Sequence, residues 1–150
     1  MNEQPELVLQ DFRHRLIGHP VTFVRLAANS LLVYIDSEPG SVTGLTFWFE
    51  PTWHLVGPTG VLLGSRQSQI EDAEAHSKLS DMTLGLFDKK VEEISVVPLT
   101  YDLHVVLEGA YSITTFVSDP TDDESWHIRD NHTGRRLVGC AAGLRVTQVE

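Results

Sequence analysis

The chain has 150 residues and a formal net charge of −10, from 11 basic and 21 acidic side chains. A chain of this size buries about 70% of its unfolded surface, so folding needs neither metal nor disulfide, and the single cysteine, Cys140, excludes an internal disulfide framework. The acidic balance argues against nucleic acid or anionic membrane as the main partner, and no apolar run approaches the ~18 residues of a membrane span.

Met1-Asn2-Glu3-Gln4-Pro5-Glu6 lacks the basic-then-apolar layout of a signal peptide. The expectation is a cytoplasmic protein of bacterial type. Pro5 to Ile17 reads as a helix, with Leu9, Phe12 and Leu16 on one face, Pro5 at its first turn and Gly18 at its stop. From Val21 the period changes to two. Strands are expected from Val21, over Leu31–Asp36, over Leu45–Glu50 and over Trp53–Val56, and then at Val61–Leu63. Glu38-Pro39-Gly40 and Gly44 mark a loop, and Gly57-Pro58-Thr59-Gly60 a tight turn. A second helix is expected from Ser68 to about Leu79, because Ser68 and Glu71 have capping-box spacing. Further strands are expected at Lys90–Val97, Leu103–Leu107, Ile113–Val117, Trp126–Arg129, Arg135–Val138 and Leu144–Val149, with a long acidic loop over Ser118–Ser125.

The two halves of the chain look alike. Leu16, Val21 and Val24 stand 70 residues before Leu86, Val91 and Ile94, and Leu31, Val33 and Ile35 stand 72 before Leu103, Val105 and Leu107. Phe47 and Phe49 align with Thr114 and Phe116 at an offset of 67, and Trp53-His54-Leu55 with Trp126-His127-Ile128 at 73. The offset changes within loops, where insertions leave strand faces unchanged. The expected fold class is α+β. It comprises two pseudo-symmetric helix-plus-antiparallel-meander repeats, about 5–66 and 67–150, sharing one core within a single domain, as a large antiparallel sheet or half-open barrel.

Leu103-x-Val105, Glu108-Gly109, Ile113 to Val117, Ser125-Trp126-His127-Ile128 and Thr133-Gly134 form a pattern that resembles small bacterial β-rich domains of unknown function, some of which look like immunity proteins of polymorphic toxin systems. The resemblance covers about residues 86–146. It implies a non-enzymatic protein that occludes a partner, and it carries no catalytic motif onto these positions. His54 and His127 stand where such families often place an acidic residue after the Trp.

Nucleophile elbows and phosphate-binding glycine loops are absent. The seven histidines match no zinc spacing, and no cofactor or metal is expected. Cys140 lies in a small apolar run and reads as buried; Arg66, Arg129, Arg135 and Arg136 could bind an anion, and the plainer reading is scattered surface arginines. In each Trp-His pair the two side chains point to opposite faces of a strand, placing Trp inside and His outside. Trp48 lies opposite Phe47 and Phe49, so it is exposed or covered by a helix; exposed, it is an interface anchor. The acids Asp122, Asp123, Glu124 and Asp130 would steer a basic protein partner, a toxin domain in the sharpest form. The alternative is a small-ligand or metal-binding domain, or an enzyme, that uses His54, His127 and nearby carboxylates in a groove between the repeats. Homo-oligomerisation through open sheet edges is a third option.

Overall fold

The computed structural model describes residues 3–67 and 72–148. Helix α1 (Pro5–Leu16) starts on Pro5, whose missing N–H costs nothing in a first turn. It ends where Gly18 turns to a φ of +88° ahead of Pro20. Val8, Phe12 and Leu16 are its buried face, and Arg13, His14 and Arg15 complement the dipole of its last turn. Five strands follow: β1 (Val21–Ala27), β2 (Ser30–Ile35), β3 (Leu45–Phe49), β4 (Trp53–Gly57) and β5 (Gly60–Gly64). Helix α2 (Ala73–Met82) runs into a 3-10 turn over Thr83–Leu86. The chain continues through β6 (Val91–Val96), β7 (Leu103–Leu107), β8 (Tyr111–Thr115), β9 (Trp126–Asp130), β10 (Arg135–Cys140) and β11 (Gly143–Gln148).

The second helix starts later than the sequence pattern predicts. Ser68 and Glu71 lie outside the described residues, and the cap is Asp72, whose carboxylate accepts from the N–H groups of Glu74 and Ala75. Strand β8 is also shifted. It begins at Tyr111 and ends at Thr115, short of Val117.

The strands form two antiparallel sheets, β1-β2-β3-β9-β10-β11 and β5-β4-β8-β7-β6, and neither closes into a barrel. The expected single large sheet or half-open barrel is therefore replaced by two sheets. After β3 the chain leaves its own meander, and β4 pairs with β8. After β8 it does the same, and β9 pairs with β3. Each crossing carries a tryptophan strand to the opposite sheet. Apolar residues of both sheets and both helices then merge into one hydrophobic cluster, where a single broad sheet would leave an apolar face in water. Trp53 and Trp126 are the largest fully buried side chains. Each removes roughly 150–250 Å² from water, a gross gain of about 4–6 kcal/mol.

Several contacts come in matching pairs. Gly18 N–H donates to Val91 O and Asp88 N–H to Val21 O, both at 2.8 Å; Val21 N–H donates to Lys89 O and Val91 N–H to His19 O, both at 2.9 Å. The indole of Trp53 donates to Asn29 O at 2.8 Å, and that of Trp126 to Tyr101 O at 2.7 Å. The β1-β2 and β6-β7 ladders slip at Val21/Phe23 and at Val91/Glu93. Phe49 pairs with Trp126, and Thr115 with Trp53.

Helix α1 lies against β6, β10 and β11. Ion pairs fasten it: Arg15 to Asp130 at 2.8 Å, and Arg135 to Asp11 at 2.7 Å. Among the described residues, no helix is long and apolar enough to cross a membrane.

Candidate functional site

The first sheet has a second face, turned away from the core. Strict alternation builds it. Phe47 and Phe49 on β3 and Trp126 and Ile128 on β9 point inward, so Thr46, Trp48, His127 and Arg129 point outward. Register then aligns them in two rows. One runs Leu32, Trp48, His127, Val138, and the other Tyr34, Thr46, Arg129, Arg136.

Two long connections wall this face. Residues 36–44 join β2 to β3, and residues 116–125 join β8 to β9. Asn131 holds the first wall down. Its Nδ2 lies 2.9 Å from Ser37 Oγ, 3.0 Å from Thr46 Oγ1 and 3.2 Å from Thr43 O, and its N–H donates to Gly44 O at 3.0 Å. Thr22 Oγ1 donates to Ser37 O at 2.7 Å. The wall returns to β3 through Gly44, where φ is +69° and a Cβ would sit 2.3 Å from the carbonyl oxygens of Ile35 and Asp36. Only glycine fits there.

The half-open cavity between the two connections has a volume of about 570 Å³. Trp48 and His127 are stacked in it, with ring centroids 5.4 Å apart and planes at 21°. His127 donates from Nδ1 to Glu124 Oε2 at 3.0 Å, which fixes the ring and leaves its Nε2 without a protein partner. This bond is the main reason the Glu124 carboxyl sits below the usual glutamate range; burial opposes it, and the charges of His127, Arg136 and Arg145 assist. Glu50 accepts from Ser30 Oγ at 2.9 Å. Arg129 and Arg136 stand opposite each other on β9 and β10. The indole N–H of Trp48 and the Nε–H of Arg129 are buried without an acceptor.

Of the residues singled out from sequence, Trp48, Glu124 and His127 meet in this cavity. Trp48 is half-buried under a loop, neither freely exposed nor beneath a helix. His127 is only 6% exposed, although it faces away from the core. Asp122 turns back into its own loop and accepts from Ser118 N–H at 3.0 Å. Asp123 is an exposed side chain 3.4 Å from Arg145. Asp130 faces α1, accepting from Arg15 and from the N–H groups of His132 and Thr133. Burial pushes its carboxyl up, but these bonds outweigh it and hold the group below the usual aspartate range.

His54 is elsewhere. It sits on β4 of the second sheet, edge-on to Phe116 at 4.6 Å. Burial first, then the nearby His104, lowers its pKa from the usual histidine value. The flanking residues Trp53, Leu55, Trp126 and Ile128 all enter the core, so the imidazoles of His54 and His127 project from its opposite sides and share no groove. Among the described residues, no group of three or more metal-ligating side chains converges. Cys140 is buried, as expected.

Thr46 and Asn131 are site residues that sequence reasoning missed, and Arg129 and Arg136 entered it only among four arginines able to bind an anion. The signal was present: Arg129 lies two residues after His127 on the same strand and therefore on the same face. Comparison with protein-family models, curated proteins and solved structures finds no match.

Proposed function

We propose that this chain is a non-enzymatic binding protein and that the cavity on the outer face of the first sheet takes a small organic ligand. The observation that carries this is the convergence of the two long connections on one cavity. In the first half residues 36–44 join the second and third strands, against 108–110 in the second half; residues 116–125 join β8 to β9, against 50–52 between β3 and β4. The two largest differences in connection length between the halves thus border the same cavity, the first supplying Glu38, Gly40, Ser41 and Val42 and the second Glu124. The duplication itself is part of the proposal. The matched bonds of Trp53 and Trp126, the reciprocal bonds between segments 18–21 and 88–91, and the parallel slips in the two ladders support a pseudo-two-fold in which the halves exchange their fourth strands.

A volume of about 570 Å³ suits a small molecule. The lining joins an apolar body, from Leu32, Tyr34, Val42 and Trp48, to a few polar groups that fix orientation. His127 serves as a positioned ring in that wall. Calorimetric titration with benzyl alcohol, benzylamine, benzoate and phenyl phosphate tests the assignment, beside a cavity-filling variant, Ser41→Trp. At least one probe is expected to bind the wild type and to lose that binding in the variant. Silence from all four at millimolar concentration, with the protein folded, refutes the assignment.

A second reading, favoured by the net charge of −10, is capture of a basic protein partner through the acidic surface, immunity-like in its sharpest form. Asp123, with 89% of its side chain exposed, is the acid best placed for it. Asp122, Glu124 and Asp130 would first have to give up internal bonds. This reading predicts association that slows with salt and with Asp123→Asn.

A further inference from the structure

We infer that the ligand of this cavity is an organic anion whose carboxylate or phosphate group is held by Arg129 and Arg136; the inference rests on the cavity being the binding site. It comes from a mismatch between donors and acceptors in the lining. The chain has four half-buried arginines, Arg15, Arg129, Arg135 and Arg136. Arg15 and Arg135, on the helix side, are neutralised by Asp11, Asp130 and Glu3. Arg129 and Arg136, on the cavity side, have no carboxylate within 4.0 Å among the described residues, although the protein is strongly acidic.

These two arginines face each other across the ladder. Like charges directly opposite on a sheet repel, and partial burial strengthens the repulsion. Arg136 spends one donor on Thr147 Oγ1 at 3.1 Å, and the guanidinium of Arg129 makes no hydrogen bond among the described residues. Trp48 Nε1 and Arg129 Nε are buried donors that lack an acceptor; Arg135 Nε on the helix side lacks one too, but its terminal nitrogens are paired with Glu3 and Asp11. Such groups are rare in folded proteins and costly unless something fills the need. The lining's own carboxylates are directed elsewhere: Glu50 accepts from Ser30, Glu124 from His127, and Glu38 lies on the exposed loop. What the two guanidiniums lack is therefore a negatively charged acceptor within reach. A planar oxyanion matches the guanidinium fork, and its organic body would pack on the Trp48 side.

The test is calorimetric titration of the full chain with benzyl alcohol, benzoate and phenyl phosphate. At least one anion is expected to bind about tenfold or more tightly than the alcohol, as one charge-assisted bidentate contact supplies. The preference should weaken as salt is raised, and should collapse in Arg129→Gln and in Arg136→Gln. Whichever of benzoate and phenyl phosphate binds tighter assigns the headgroup. Each variant is checked for an intact melting transition; should Arg129→Gln fail to fold, Arg136→Gln and the salt dependence of the wild type carry the test. Benzyl alcohol binding as tightly as either anion overturns the anion inference and leaves the cavity assignment standing. Loss of all binding to the wild type overturns both.

Discussion

Gly139 decides how Trp126 lies, and Trp126 in turn fixes which way its neighbour His127 points. A Cβ at Gly139 would stand 2.1 Å from both Cε2 and Nε1 of the Trp126 indole, far inside contact distance. The indole has no free direction, being fully buried and bonded to Tyr101 O at 2.7 Å. Gly139→Ala must therefore push the ring. Overpacking of a tight core costs roughly 1–3 kcal/mol. Breaking the indole bond while the N–H stays buried adds roughly 1–3 kcal/mol. The expected total is about 2–6 kcal/mol, which for a chain of this length lowers the melting temperature by about 4–24 °C. Gly64→Ala is the control. Its Cβ would lie 3.7 Å from Trp53 O, an ordinary contact, and the change should stay within about 0.5 kcal/mol. Thermal and urea unfolding, followed by circular dichroism, measure both. A Gly139→Ala protein that melts within about 2 °C of the wild type refutes the placement of Trp126 against β10.

If Trp53 and Trp126 are equivalent, Trp53→Phe and Trp126→Phe should lose similar stability, about 2–4 kcal/mol each, since each gives up one indole-to-carbonyl bond and ring volume; urea midpoints that differ by more than half of that contradict the equivalence. Because the folded Glu124 carboxyl titrates below its unfolded value, its contribution is complete above the unfolded value and is lost as pH falls through the folded one. Glu124→Gln should flatten that part of the acid limb and leave the neutral-pH side unchanged in shape; an unaltered acid limb counts against the His127 bond. Arg15→Ala should cost about 2 kcal/mol, between the values for exposed and buried pairs, because Asp130 keeps its bonds from His132 and Thr133. It should also raise the Asp130 pKa, measurable by carboxyl NMR titration; no change in that titration refutes the pairing.

Much of the core was legible because alternation is local. Phe47 and Phe49, Trp53 and Leu55, and Trp126 and Ile128 each fall on the buried side that period-two spacing assigns. The pairing of β3 with β9 was not legible, because it joins segments about 80 residues apart and no local pattern encodes the partner. Under the proposed pseudo-two-fold, strand pairing makes Thr115, not Phe116, the counterpart of Phe49. Thr115 is a buried polar residue, satisfied by a bond to Asp102 Oδ1 at 3.0 Å and by one from Leu103 N–H at 3.0 Å. A hydrophobic template passes over such a residue and chooses the exposed Phe116. The cavity was half-legible. Trp48, His127 and Glu124 stood out by type, whereas Arg129 and Arg136 were two of four arginines able to bind an anion until the ladder set them side by side. His54 drew attention by its likeness to His127, yet β4 belongs to the other sheet.

The most direct measurement is an indole N–H spectrum of the nitrogen-15-labelled protein during titration with benzoate and with phenyl phosphate. Three tryptophans give three signals, and two are already committed: Trp53 to Asn29 O and Trp126 to Tyr101 O. Trp48 alone has an indole N–H without an acceptor, on a residue that lines the cavity. Its signal is expected to move with added probe while the other two stay in place. A Trp48 signal that stays fixed while calorimetry registers binding would contradict the assignment of the cavity as the binding site.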